Sequence, residues 1–186
     1  MPLVALCANI SWECIFSFIY PSQMIQRSVN LVWFCFDAVI LVQILRYGPR
    51  EFADLPKRVF YSLFGLTLAS SFFVVLLMTT EFHDKGTYAA FGSNLMMSVL
   101  FIMMLYRRRS LRGQSMSIAI CKLAGTALAS LAFFLYSPLS QRSVLLPFLY
   151  LTIFAYDAIY VAMVYRQRAT RESDLHSHVK VEIARG

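Results

Sequence analysis

Residues 5–20 read ALCANISWECIFSFIY, an apolar run of helical length with one charge, Glu13, at its centre. Nothing inside the run breaks a helix. A charged side chain at mid-bilayer costs about 3 kcal/mol on insertion scales, so an acid there has work to do. Working outward, residues 145–165 form a second run of this kind near the other end of the chain, with Asp157 at a similar depth. A membrane helix bundle carrying acids inside it is the reading that every other stretch must fit.

The whole composition agrees. Of 186 residues 59% are hydrophobic and only 15% charged, with a mean hydropathy of +0.61. Soluble domains run nearer 45–50% apolar and about 25% charged. This excludes a soluble fold and predicts an integral membrane protein of one domain. A spanning helix needs about 20 mostly apolar residues. On that ruler there are six, at residues 2–20, 28–47, 59–80, 87–106, 116–136 and 145–165. Pro21, Gly48-Pro49 and Pro138 are read as stops, because proline cannot continue the hydrogen-bond ladder. A sheet is excluded, since lipid cannot satisfy open edges and period-2 alternation is absent. The fold class is all-α, a polytopic bundle over residues 1–166 with a polar tail at 167–186. With no basic region before the first run, a cleaved signal peptide is not expected.

The net charge of +7 does not point to nucleic acid, because the basic residues sit at the ends of apolar runs. Arg46, Arg50, Lys57, Arg58, Arg107, Arg108, Arg109, Arg112, Arg166, Arg168 and Arg171 fall on one side, against Arg27, Lys85 and Arg142 on the other. The richer side is expected to be cytosolic, which puts the C-terminus there, most naturally from the endoplasmic reticulum membrane. The tail RATRESDLHSHVKVEIARG is expected to lack fixed structure. Cys7, Cys14, Cys35 and Cys121 have no metal or redox spacing and read as packing residues.

Three acids reach a common layer. At about 1.5 Å per residue, Glu13 lies roughly 17 Å into its helix, Asp37 roughly 14 Å and Asp157 roughly 12 Å. Asn9 and Ser17 share the face of Glu13, with Trp12 beside it. Asp37 follows Asn30 and Trp33 at helical spacing, either as a third member of the site or as the partner that orients another carboxyl. Asp157 is flanked by Tyr156 and Tyr160, whose ring faces attract a cation. The competing reading of each is a hydrogen-bond network that only holds helices together. Lys122 is read as a structural residue snorkelling to the interface, and EFHDKG at residues 81–86 as a solvated loop. No metal, nucleotide or aspartate-rich diphosphate motif is present, so no cofactor is expected.

The stretches NISWECIFSFIYPS, RSVNLVWFCFDAVILVQILRYGP and FAYDAIYVAMVYRQR resemble the paxilline-cyclase family of small integral-membrane terpene cyclases, fungal enzymes of meroterpenoid and indole-diterpene biosynthesis. The resemblance implies a metal-independent cyclisation in which an acid protonates the terminal epoxide of a prenylated aromatic and the polyene closes through a carbocation cascade. It places the two essential acids on Glu13 and Asp157. It also implies about seven helices, one more than counted here, the extra one preceding Glu13. The partner is then a lipophilic prenylated substrate entering from membrane lipid. An alternative of a different class is a small proton-coupled transporter or lipid carrier using the same acids as a relay.

Overall fold

The computed structural model describes residues 3–20, 24–51, 55–108, 111 and 114–183, with backbone alone at 50–51 and from 171 onward. Every element among them is helical: α1 (Leu3–Cys14), which runs into a π-helical turn at Ile15–Ile19, α2 (Met24–Glu51), α3 (Lys57–Phe82), α4 (Thr87–Arg108), α5 (Met116–Tyr136), the short α6 (Pro138–Arg142) and α7 (Leu145–Ile183). Met24–Pro49, Lys57–Phe82, Thr87–Arg108, Met116–Tyr136 and Leu145–Thr170 are long and apolar enough to cross a membrane. This is the all-α polytopic bundle that the composition requires, and the protein is multi-pass.

The first helix departs from the other five. The apolar stretch Leu3–Ile19 falls short of the usual spanning length of about 20 residues. In compensation it is the most enclosed. Ala5, Leu6 and Cys7 are wholly buried, whereas Leu66, Phe73 and Leu151 on longer helices are more than half exposed. Side chains turned outward on the long helices face lipid, and α1 faces protein. Its small residues Ala5, Ala8 and Ser11 allow the close approach that membrane packing rewards.

Two compact units divide the chain at Met1–Met97 and Ser98–Gly186, so each takes half of α4. In the first unit α1 packs against α2 and α3. Ile15, Phe16, Val75 and Ala89 form its core, with Trp12 and Met78 packed on them. In the second, α5 and α7 are antiparallel, joined through α6. Lys122 meets Asp157, and Ala119 joins Tyr160 and Val164 in one core with Leu105.

Two helix ends differ from the sequence reading. α2 does not stop at Gly48-Pro49 but continues to Glu51. Pro49 has no N–H to offer the carbonyl of Leu45, four residues back. That freed carbonyl is taken by Tyr61 of α3, whose hydroxyl donates to it at 3.2 Å. α7 runs on through the polar tail to Ile183 as one helix. No Gly or Pro interrupts residues 148–183, so no helix breaker falls within the tail's described part. The expected stop at Pro21, the start of the first run at Pro2, the basic residues Arg109 and Arg112, and the last three tail residues lie outside the described residues.

Candidate active site

The acid of α1 is held where the sequence suggested. Glu13 is 8% exposed and Asp37 6% exposed. They approach one another between α1 and α2 closely enough to couple electrostatically. Asn30, two turns earlier on α2, and Ser17, on the π turn of α1, are buried as well. Glu13 Oε2, Asp37 Oδ2, Ser17 Oγ and Asn30 Nδ2 each lack a hydrogen-bond partner, the Asn30 oxygen being engaged by Gln26. Buried polar atoms are nearly always paired, so each of these four is open to a further polar partner. Asn9 is half-buried one turn before Glu13.

The remaining aromatic candidates divide. Trp12 donates its indole N–H to the carbonyl of Gly86 at 3.0 Å and lies against Phe16 with ring centroids 4.7 Å apart. It therefore fastens the α3–α4 turn to α1. Trp33 shares the period of Asn30 and Asp37 but turns outward, 59% exposed, with its ring edge-on to Phe36.

That turn also revises the reading of EFHDKG as a solvated loop. Glu81 and His83 are exposed, but Asp84 is buried. Its carboxylate accepts from the backbone N–H of Gly86 at 3.0 Å and of Tyr88 at 2.6 Å, capping the start of α4. His83, Lys85 and Gly86 all take positive φ to make the bend.

Asp157, in the second unit, is 1% exposed and fully bonded. Lys122 Nζ donates to Oδ1 at 2.6 Å and the Thr126 hydroxyl to Oδ2 at 2.7 Å. Lys122 also donates to Ser98 Oγ at 2.7 Å. Lys122 is thus no snorkelling residue: its side chain is 10% exposed and it faces inward to an acid. The sequence carried a signal for this, since Lys122 and Thr126 are four residues apart on one helix face and Lys122 lies about 9 Å into α5 against roughly 12 Å for Asp157 in α7. Tyr160, one turn on, is wholly buried against Phe101 and Val164, its hydroxyl without a partner. Tyr156 is 36% exposed and lies to the side.

A cavity of about 560 Å³ opens in the first unit between α1, α3 and α4. Val4, Ala8, Val75 and Met96 wall it, with the hydroxyls of Thr67, Ser70, Ser71 and Ser93 along it. Its size suits a small lipophilic ligand. It borders Val4 and Ala8, on the opposite face of α1 from Glu13. Among the described residues no three His, Cys, Asp or Glu side chains gather as metal ligands do.

Comparison with known proteins adds the rest. Residues 1–166 match the family model of Pyr4-like transmembrane terpene cyclases. Terpene cyclase macJ of Penicillium terrestre is 29% identical over 100% of this chain and 77% of its own length. Pyr4-family terpene cyclase mfmH of Annulohypoxylon moriforme is 27% identical over 72% of this chain and 57% of its own. For terpene cyclase andB of Emericella variicolor the figures are 24%, 68% and 56%. The chain thus spans little more than half the length of two of these three relatives. No solved structure matches it.

Proposed function

The chain belongs to the Pyr4-like transmembrane terpene cyclases, and from that premise we propose that it cyclises an epoxidised prenyl chain on an aromatic or indole head group. The reaction starts with an acid and uses no metal. It belongs to meroterpenoid biosynthesis.

A carboxyl in a low-dielectric interior favours its neutral form, which is the form that can protonate an epoxide. Protonation lets the C–O bond break, and the alkenes close in turn on the cation until a proton is lost. Glu13 and Asp157 are the acids on which the reaction depends. Asp37, Asn30 and Asn9 support Glu13, and Trp12, Tyr156 and Tyr160 offer ring faces to a migrating cation. Exclusion of water keeps the cation from being quenched early. The substrate is lipophilic and enters from the bilayer. The membrane is that of the endoplasmic reticulum, with residues 1–166 embedded and the tail at 167–186 in the cytosol, as the excess of basic residues on that side supports.

Glu13 carries this reading: a carboxyl buried in the core of an apolar helix, with one oxygen unpaired and Asp37 of α2 near it. The test is product analysis in microsomes expressing the chain and fed epoxidised farnesyl- and geranylgeranyl-aromatics. The expected product is a cyclised isomer of unchanged mass. Glu13→Gln should abolish it while the protein still accumulates in the membrane. Undiminished product from that variant would remove the mechanism.

A further inference from the structure

The acids inside the membrane helices have opposite surroundings. Among the described residues no cation pairs with Glu13 or Asp37, and each keeps an unpartnered oxygen. Asp157 keeps none. One oxygen accepts from an ammonium and the other from a hydroxyl, so each oxygen has one donor and keeps one further lone pair. An ammonium and a hydroxyl donor hold the group as an acceptor, and the second lone pair on each oxygen is where a proton can arrive. Lys122 is oriented in turn by Ser98 and lies in the helix that packs most closely on α7. The titratable groups facing Asp157 are Lys122 from α5 and Tyr160 from α7 itself, while α4 contributes the neutral Ser98 through Lys122.

We propose, resting on the cyclase reading above, that Lys122 is a positioning residue that holds Asp157 as an oriented carboxylate, so that Asp157 takes a proton in the reaction and does not give one. The initiating proton then comes from Glu13. It passes to the epoxide oxygen as the C–O bond breaks, and the alkene pairs form the ring bonds. At the end a C–H bond beside the last cation breaks. Its electron pair becomes the new double bond and its proton goes to Asp157. A proton beside a carbocation is acidic enough for a salt-bridged carboxylate to accept. Substrate and product are isomers, Glu13 has lost one proton and Asp157 has gained one. Exchange with water restores both before the next turnover. Thr126 fixes the second oxygen and so the direction in which the carboxylate points.

The full chain in lipid nanodiscs tests this by infrared difference spectroscopy of the protonated-carboxyl stretch, which needs no substrate. Wild type and Asp157→Asn should show the same protonated-carboxyl signal, because residue 157 contributes none. Lys122→Met should gain a band, and Lys122→Met with Asp157→Asn should lose it. In the microsomal assay Lys122→Met should lower cyclised product roughly 10- to 100-fold, the scale of a misplaced catalytic group, and Lys122→Arg should restore much of it. A band in wild type that vanishes in Asp157→Asn overturns the proposal. So does Lys122→Met without a new band. If Lys122→Met fails to accumulate, the wild-type against Asp157→Asn comparison decides alone. Should wild type cyclise no substrate, the cyclase reading fails while the infrared result still judges the ion pair.

Discussion

Gly86 adopts φ +79°, and a Cβ there would stand 2.1 Å from Phe16 Cζ and 3.0 Å from Trp12 Nε1. Any side chain must therefore push the α3–α4 turn away from α1 while also straining the backbone. Strain of this kind costs about 1–3 kcal/mol before the lost Trp12 hydrogen bond is counted. Gly86→Ala should lower the thermal midpoint of the detergent-purified protein, and an unchanged midpoint would show that the turn is not docked as described. Glu13 lies one residue from Trp12, so looser docking should also lower cyclase activity. The same scale shows what a linear reading misses. Lys122 looked structural because its partner is 35 residues away, and Trp33 looked inward because period alone does not say which of two flanking sectors a helix buries.

At the level of the helix, α2 and α3 are fitted together around one missing hydrogen bond. Gly48 lets the ring of Phe60 come so near that a Cβ would lie 2.5 Å from its Cζ. Pro49 leaves the Leu45 carbonyl free, and Tyr61 fills it. Tyr61→Phe should therefore cost about 1 kcal/mol in the native background. It should cost almost nothing beside Pro49→Ala, which returns an N–H to the ladder. Equal penalties in a double-mutant cycle of unfolding free energies would break the link between the two residues. Five of the six apolar helices were legible from run length alone. The end of α2 was not, because a neighbouring helix supplied what proline took away.

For the molecule as a whole, the alternation of basic and non-basic loops predicts an orientation. A glycosylation sequon engineered into residues 139–143, between α5 and α7, should be used in microsomes, and one placed after Ile183 should not. The reverse pattern would invert the topology. Fold class, helix order and the presence of acids inside the bundle all followed from hydropathy and charge, because lipid leaves a chain few choices. What hydropathy hid was tertiary: the enclosure of α1 by its neighbours, the pairing of Asp157 with Lys122, and the placing of the 560 Å³ cavity away from Glu13.

The π turn that follows Glu13 makes one more demand on the chain. Its widened loop closes where the Tyr20 N–H meets the Ile15 carbonyl at 2.8 Å, one residue beyond an ordinary helical bond. Such a turn is the mark of an added residue accommodated without re-registering the helix. Removing any one residue from 15–19 would restore the regular ladder and swing Glu13 by about 100° relative to Tyr20. The aim of the acid therefore depends on how many residues occupy that stretch as well as on which they are. A one-codon deletion of the exposed Phe18 or Ile19 would disarm Glu13 without removing any of the buried polar groups named with it.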